Sequence, residues 1–416
     1  MGRLMHIAMI SGEYPPRWGG MGTTVYHLSS RLAEMGHKIS VITRRSPGEA
    51  PKVDNVEIIQ VPWVKIPMAF TRSFGRTSLK ALMKKHTQEK VDVVHLHCPM
   101  ASWDESQFEK CQREIAPVVA SMHGTWKGER DGLMLAARYG EPAVWSNPND
   151  IAIRYLAGRY SKFENSAIRK ATIIVPNSAA TMEDLLKRYD APEQWDCQVV
   201  HWGVDTHMFS PAHGDSEDEV HRNRQIREKY SIPNDAVLIL AVGRLAARKG
   251  HGMLIRAFSK VLEKASAHLV IIGRGSLKGR LTRLASNLGI HNKISIESSM
   301  DFQSIAEMYR HADLVAYPSY YEGQGLIPLE AMASSTPVVT VNHGPLPEMV
   351  DQSVGALYEM GSEDSLSETI LLEISSKLNL VEKGSNGRKR VLSDFNLDGN
   401  AKDFLKIYKR ALDSTK

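Results

Sequence analysis

Two glutamates separated by seven residues form the most informative chemical pair in the sequence. Glu322 and Glu330 lie in the segment EGQGLIPLE, residues 322–330. A helix beginning near Gly325 would leave Glu322 in the preceding loop and carry Glu330 up to about 12 Å along its axis. That distance exceeds the roughly 5 to 9.5 Å between the paired carboxyl groups of glycosidases, so a hydrolytic pair is disfavoured. A ligand that touches both must be long, as a nucleotide sugar is.

A basic turn precedes these glutamates. The apolar run 236–242 leads into GRLAARKG, residues 243–250, where Arg244, Arg248 and Lys249 collect positive charge. The carboxyl end of a strand is the usual ligand edge of an open α/β sheet. A diphosphate is a natural counter-ion for such a group of cations. The glycines of Gly273-Arg274-Gly275, after the next strand, again permit close backbone approach.

A third candidate loop lies near the N-terminus. The first strand ends in SGEYPPRWGGMG, residues 11–22, and a helix is expected to begin near Thr23. Glycines let backbone amides approach a ligand, and a helix N-terminus favours an anion; a flexible connection is the alternative interpretation. The dinucleotide fingerprint G-x-G-x-x-G is absent, and Arg44-Arg45 follow the second strand in place of an acidic residue. An NADP-dependent oxidoreductase therefore stays open as an alternative.

Two parallel sheets are expected to position these loops. Strand-length apolar runs alternate with helix-period segments throughout the 416 residues, the pattern of a doubly wound α/β protein with two domains. The domain boundary is expected between residues 204 and 233, where Ser210-Pro211 and the acidic segment Gly214–Glu219 interrupt the apolar rhythm. The chain is expected to be helical after Leu357, and the amphipathic segment 400–412 needs a docking surface. The predicted strands are 4–10, 38–43, 91–97, 118–122, 172–175, 236–242, 268–272, 293–296, 313–316 and 338–341.

Composition and charge exclude several classes of protein. Three cysteines without C-x-x-C spacing disfavour a disulfide framework and a structural zinc site, and they fit a reducing cytoplasm. A net charge of +5 without an arginine-rich arm does not indicate nucleic-acid binding. His95 and His97 share a strand face, but no third ligand is evident, so packing is favoured over metal binding. The apolar segment 4–10 is too short for a membrane span, and no export is expected.

The order and spacing of these motifs resemble those of retaining family-4 glycosyltransferases, which have the two-domain GT-B fold. The resemblance covers essentially the whole chain and rests on Glu322 and Glu330, Gly19-Gly20, residues 91–97, His123-Gly124, Asn177-Ser178, Gly243-Arg244 with Lys249-Gly250, and Pro347-Glu348. It implies a Rossmann-like acceptor domain (1–204) and a Rossmann-like donor domain (205–395) facing a central cleft. A C-terminal helix (396–416) would pack back on the first domain.

The same resemblance implies roles for individual residues. Arg244 and Lys249 would bind the donor diphosphate and act in catalysis, with the amides around Gly19-Gly20 closing on it. Glu330 would hold the ribose, and Glu322 would act beside the transferred sugar together with His123. The remaining donor contacts would come from Ser178, Arg274 and the stretch Gly323, Gln324, Gly325 and Leu326. Gln324 replaces the phenylalanine that is commonest there, so the identity of the donor sugar stays open.

The expected activity is transfer of a hexose from a UDP- or GDP-sugar to a hydroxyl of a glycan, glycolipid or small molecule. The nucleotide sugar is a co-substrate, and neither a cofactor nor a metal is expected, which agrees with the absence of D-x-D. A non-catalytic nucleotide-sugar-binding protein is a further alternative. Segment 61–85 mixes basic and apolar residues. It could contact the anionic inner face of the cell membrane, or its apolar side could face the core.

Overall fold

Two six-stranded parallel sheets organise the chain in a computed structural model, which describes residues 3–212 and 216–414. The first sheet has the strand order β3-β2-β1-β4-β5-β6, and the second has the order β12-β11-β10-β7-β8-β9. Their strands are β1 His6–Ser11, β2 Lys38–Arg44, β3 Val56–Val61, β4 Val93–Cys98, β5 Val118–Met122, β6 Ile173–Pro176, β7 Val237–Val242, β8 Ala267–Ile272, β9 Ile294–Glu297, β10 Leu314–Tyr317, β11 Val338–Val341 and β12 Gly355–Tyr358.

Helices connect successive strands, as parallel pairing requires. They are α1 Gly20–Glu34, α2 Ala69–Gln88, α3 Glu105–Glu114, α4 Trp126–Arg138, α5 Pro148–Lys170, α6 Ala179–Arg188, α7 Glu217–Lys229, α8 His251–Val261, α9 Lys278–Asn287, α10 Phe302–His311, α11 Leu326–Ala333, α12 Leu346–Met349, α13 Glu363–Ile374, α14 Lys377–Asp394 and α15 Leu397–Asp413. The interior strands β1, β4 and β8 are buried along their whole length, which explains why most of their residues are apolar.

The ten predicted strands are all present, with ends within two residues of the prediction. The sequence prediction missed β3 and β12, which form one edge of each sheet. Beyond β12, which ends at Tyr358, the described residues form the helices α13, α14 and α15, in line with the helical region expected after Leu357. An edge strand has a neighbour on one side only, so it is less buried; four of the six residues of β3 are only partly buried. Its apolar signal is correspondingly weak.

Two helix boundaries also differ from the sequence prediction. Helix α1 begins at Gly20 and not near Thr23, since the two glycines lie inside or directly before the first turn. The expected boundary region contains α7, thirteen residues long and capped by the side chain of Ser216. Gly214 and Asp215, which belong to the acidic segment named above, lie outside the described residues.

The chain divides into two compact units. The first comprises the described residues up to Arg130, then Ile151–Gly203, and the described residues from Leu397 onward; the second comprises Asp131–Asp150 and Val204–Asn396. Within the second unit, the Glu141 carboxylate accepts hydrogen bonds from the backbone N–H groups of Gly252 and Met253, at 3.0 and 2.7 Å. Two otherwise unsatisfied donors at the start of α8 are thereby capped by a residue more than a hundred positions earlier.

Helix α15 packs on α1 and on the sheet of the first unit beside β4 and β5. Its apolar face includes Phe404 and Tyr408, both fully buried. The hydroxyl of Tyr408 lies 2.7 Å from Nδ1 of His95 on β4. The sheet therefore supplies the docking surface that the amphipathic pattern of this helix requires.

Segment 61–85 is only partly available to solvent. In α2 the side chains of Phe74 and Leu82 belong to the core of the first unit, and Lys85 pairs with Glu57 and Glu89. Val64 and Ile66, before the helix, are exposed. The apolar side of most of this segment therefore faces the core, which is the second of the two alternatives given for it above. Within the part of the chain that the structure describes, no helix is long and apolar enough to cross a membrane.

Candidate active site

The loop after β7 and the loop after β10 meet at the carboxyl edge of the second sheet. The β7 loop forms a short 3-10 turn, Ala247–Lys249, and then reaches Gly250 with a φ of +72°. A Cβ at Gly250 would lie 2.0 Å from the carbonyl oxygen of Pro318. Beside this contact, the Tyr320 N–H donates to the Arg248 carbonyl oxygen at 2.8 Å. Glycine is required here because only it combines this backbone conformation with such a close approach.

That approach brings Lys249 and Glu322 into direct contact. The ammonium of Lys249 donates to Oε1 of Glu322 and, at 3.1 Å, to the hydroxyl of Tyr317. The Tyr317 hydroxyl in turn donates to the same Glu322 oxygen at 2.5 Å. The Lys249 and Glu322 side chains are only 11% and 12% exposed, so little water separates these charges. Tyr317, at the end of β10, thus holds both members of an ion pair.

The charge states of this cluster follow from its surroundings. Burial alone would raise the pKa of Glu322, but the charges of Lys249 and Arg248 more than offset it and bring the pKa below its ordinary value. Burial lowers the pKa of Lys249, and the Glu322 carboxylate opposes that change. Burial and the neighbouring carboxylate raise the pKa of Tyr317 well above its usual range. Glu322 is therefore ionised at neutral pH beside a protonated phenol.

Glu330, on α11, has a different environment. The Tyr309 hydroxyl donates to its Oε2 at 2.9 Å. Burial raises the pKa of Glu330 to about 7, against the opposite effect of this hydrogen bond. The helix that carries Glu330 begins at Leu326, after Gly325 with a φ of +104°. The two glutamates thus differ in charge near neutral pH, although the sequence presents them as a pair.

The glycines around Arg274 serve a packing role that the sequence did not specify. A Cβ at Gly273 would lie 1.7 Å from the carbonyl oxygen of Gly243, and one at Gly275 would lie 2.2 Å from that of Leu245. The close backbone approach is therefore between two neighbouring loops. The side chains of Arg244 and Arg274 are exposed at this edge, and within residues 216–414 neither forms an ion pair with a carboxylate.

In the first unit, His123 follows β5 and lies among aromatic side chains. Its Nε2 is 3.0 Å from Nδ1 of His97, and its ring stacks on Trp202 with centroids 5.1 Å apart. Trp202 stacks in turn on Phe404 of α15 at 4.9 Å. Burial lowers the pKa of His123 to about 3, so the imidazole is neutral at physiological pH. Helix α15 therefore supports His123 through Trp202.

The other predicted residues of the first unit lie at helix starts. Gly19 directly precedes α1, and Gly20 is its first residue, with open space where a Cβ would project. Ser178 is buried, and its hydroxyl accepts a hydrogen bond from the Thr181 N–H at 2.9 Å. This hydroxyl thus caps α6.

In the second unit, Gly323 and Gln324 lie in the loop before α11, where Gln324 is buried.

Three residues of these clusters were not predicted from the sequence. Tyr317, Tyr309 and Trp202 each contact a predicted residue through a ring or a hydroxyl. Tyr317 ends β10, Tyr309 lies in α10 and Trp202 lies in a loop, so no common spacing in the sequence separates these three from core aromatic residues. Among residues 3–212 and 216–414, no group of three His, Cys, Asp or Glu side chains is arranged to hold a metal ion.

Comparisons with known proteins agree with this fold. The family model described as Glycosyltransferase Family 4 matches residues 18–208, and the model described as Glycosyl transferases group 1 matches residues 222–390. An uncharacterized glycosyltransferase of Methanocaldococcus jannaschii is 28% identical over 98% of this chain and 99% of its own length. A D-inositol 3-phosphate glycosyltransferase of Catenulispora acidiphila is 28% identical over 88% of this chain and 85% of its own.

A solved structure shows the same fold. Sucrose-phosphate synthase from Thermosynechococcus elongatus superposes with a TM-score of 0.77 at 19% identity, over 99% of this chain and 100% of that chain. The two parallel sheets with their helices are thus a GT-B α/β fold, as predicted. The chain belongs to the family-4, or group 1, glycosyltransferases.

Proposed function

We propose that this glycosyltransferase moves a hexose from a UDP- or GDP-sugar to a hydroxyl of a glycan, a glycolipid or a small molecule, with retention of anomeric configuration. The observation that carries the proposal is the Lys249–Glu322 ion pair held by Tyr317 beside the exposed Arg244. This cluster combines cations that would bind a diphosphate with a carboxylate that would stabilise an electron-poor sugar. We assign the principal donor-binding residues to the second unit and the acceptor site to the first.

The chemistry we assign is electrostatic. Arg244 and Lys249 neutralise the negative charge that grows on the departing diphosphate, in a partly water-excluded site where such charges act strongly. The departing phosphate takes the proton of the acceptor hydroxyl. Ionised Glu322 stabilises the oxocarbenium-like sugar, and Glu330 accepts hydrogen bonds from the ribose hydroxyls. Metal-independent transfer is part of the proposal, because these cations supply the charge that a metal otherwise provides.

Two further parts of the assignment rest on the family resemblance. His123 is assigned to the transferred sugar, where a neutral imidazole offers a hydrogen bond without a positive charge. Gly19-Gly20, Ser178, Arg274 and the stretch 323–326 are assigned to donor binding. We also propose a cytoplasmic location, with peripheral contact to the inner face of the membrane limited to the exposed Val64 and Ile66 of segment 61–85.

A thermal-shift screen against UDP, GDP, ADP and NADP, followed by turnover of the matching sugar nucleotides, tests this function. We expect stabilisation by UDP or GDP, and loss of that stabilisation in Arg244→Ala combined with Lys249→Ala. Donor turnover separates a transferase from a non-catalytic binding protein. Stabilisation by NADP alone, or by no nucleotide, would contradict the proposal.

The Tyr317→Phe variant is expected to lower kcat/KM by about tenfold, the value of roughly one lost hydrogen bond to a charged group. The ion pair itself persists, but Glu322 loses the hydrogen bond that orients it. Steady-state kinetics over a range of pH measure the effect, since Glu322 should then titrate at a higher pH than in the wild type. The matched control is Tyr358→Phe, which removes a buried hydroxyl that has no hydrogen-bond partner among the described residues. Equal losses in both variants would contradict a positioning role for Tyr317.

The pH dependence of nucleotide binding is expected to report Glu330. Ribose hydroxyls donate hydrogen bonds, so they favour the ionised carboxylate, and burial raises the pKa of this carboxyl to about 7. Affinity for the nucleoside diphosphate should therefore weaken as the pH falls through about 7. Calorimetric titrations at several pH values measure it, and Glu330→Gln should bind more weakly and lose this step. If the affinity of Glu330→Gln still weakened in the same way as the pH falls, another group would be responsible for the pH dependence.

A further inference from the structure

A cavity of about 450 Å³ lies in the first unit, and none of the residues assigned above to donor binding or catalysis lines it. It is bordered by the first two turns of α2, the N-terminus of α3 and the middle of α5. Its volume lies within the range of small-molecule sites in proteins. The side chains that define its chemistry are Arg72, Arg76, Arg159, Lys162, Asp104 and Tyr160.

The cavity is strongly cationic. Four positive side chains face a single carboxylate, and that carboxylate, of Asp104, is already paired with Arg72. Within the described residues, neither Arg76 nor Arg159 forms an ion pair, and both are exposed. Gathering like charges without counter-ions is unfavourable, and it raises the local concentration of anions. The cavity therefore has the electrostatic character of an anion site.

Arg72 is held rigidly in this cavity. Its guanidinium donates to the carbonyl oxygen of Ser102 at 3.1 Å and to Asp104 and Gln107, and it lies 4.9 Å from the ring centroid of Phe163. Burial and the nearby Arg76 lower the pKa of Arg72, against the effect of Asp104. A planar guanidinium fixed in this way is pre-organised for an oxyanion, since little side-chain entropy is lost on binding.

Two aromatic residues, Tyr160 and Phe163, also line the cavity, and their ring centroids lie 5.9 Å apart. The two rings give the cavity an apolar wall. A phosphate ester with a compact organic body matches this combination, because guanidinium groups recognise phosphate oxygens bidentately.

The cavity also lies toward the substrate edge of its sheet. Helix α2 begins after the carboxyl end of β3, and Asp104 caps α3 after the carboxyl end of β4. His123 follows the carboxyl end of β5 in the same parallel sheet. The N-terminal ends of α2 and α3 therefore lie, like His123, at the sheet edge where open α/β sheets bind ligands.

We propose that this cavity binds a phosphate group of the acceptor, either on a soluble phosphate ester or in a lipid headgroup. The assignment of that phosphate to an acceptor rests on the proposed function; the binding of phosphate itself does not. The cations that remain unpaired, Arg76 and Arg159, are its principal ligands, with Arg72 as the fixed one.

Calorimetric titration without any nucleotide tests the proposal on the full chain. The probes are glucose 6-phosphate against glucose at equal ionic strength, and phosphatidylcholine vesicles with and without phosphatidic acid. We expect Arg76→Gln combined with Arg159→Gln to weaken phosphate binding at least about tenfold. The matched control is Lys80→Gln combined with Lys84→Gln, which removes the same charge from exposed positions of α2 outside the cavity.

Each outcome decides the proposal. Binding of glucose 6-phosphate that the first double variant alone weakens supports it with a soluble source. Binding confined to acidic vesicles, with the same dependence on Arg76 and Arg159, supports it with a lipid source. No phosphate binding by either probe, or equal loss in both double variants, overturns it. Thermal stabilisation of the protein by UDP or GDP is measured separately. It shows whether the proposed donor site binds nucleotide, whatever the result at the phosphate cavity.

Discussion

Lys249→Met is expected to lower kcat/KM for sugar transfer by about 10³-fold, the upper range for loss of one transition-state hydrogen-bond donor in a water-excluded site. The variant removes the cation that faces the departing diphosphate and also leaves the Glu322 carboxylate without its partner. The pKa of Glu322 should then rise, because the charge that holds it down is gone. Turnover of the preferred sugar nucleotide measures the effect. Activity within a few-fold of the wild type would contradict the proposed role.

Two companion variants separate catalysis from stability. Lys260→Met, on α8 of the same unit, breaks only an exposed pair with Asp364 and should leave turnover unchanged, with a stability change below about 1 kcal/mol. Lys249→Met alone should destabilise the protein by up to about 3 kcal/mol, since one member of a largely buried pair remains. Adding Glu322→Gln should recover most of that stability without recovering turnover. Recovery of turnover in the double variant would mean that the pair is structural.

Gly250→Ala is expected to lower the free energy of unfolding by about 2 to 4 kcal/mol, through backbone strain and overpacking together. The residue has a φ of +72°, and an added Cβ would meet the Pro318 carbonyl oxygen at 2.0 Å. Because the two loops must separate to admit the methyl group, Lys249 should also lose its contact with Glu322. Chemical denaturation and turnover together measure the change, and both are expected to fall.

Gly279→Ala is the matched control for this prediction. Gly279 lies in the first turn of α9, with no atom within 4 Å of an added Cβ. The same substitution should there stabilise the protein by roughly 0.5 to 1 kcal/mol, because alanine favours helix more than glycine does. If both variants behaved alike, the close approach at Gly250 would not be what fixes the loop.

The sequence predicted the sheets better than their edges. Interior strands are buried on both faces, so β1, β4 and β8 could be recognised as mostly apolar segments. Two of the four edge strands, β3 and β12, were missed; four of the six residues of β3 and two of the four residues of β12 are only partly buried. No sequence signal indicated that Asp131–Asp150 belongs to the second unit, because its contacts, such as those of Glu141 with α8, are made by a segment distant in the chain.

What the sequence by itself determined is which residues stand at the carboxyl ends of strands. Arg244, Lys249, Glu322 and His123 were identified in this way, since strand periodicity and glycine-rich turns are local properties of the chain. Only the tertiary structure decided their partners and charges. Tyr317 joins Lys249 to Glu322 across 73 positions of sequence, and the charges of Lys249 and Arg248 hold the pKa of Glu322 below that of Glu330, which burial raises. Hydrogen bonding and desolvation depend on neighbours in space, and a spacing along the chain does not specify them.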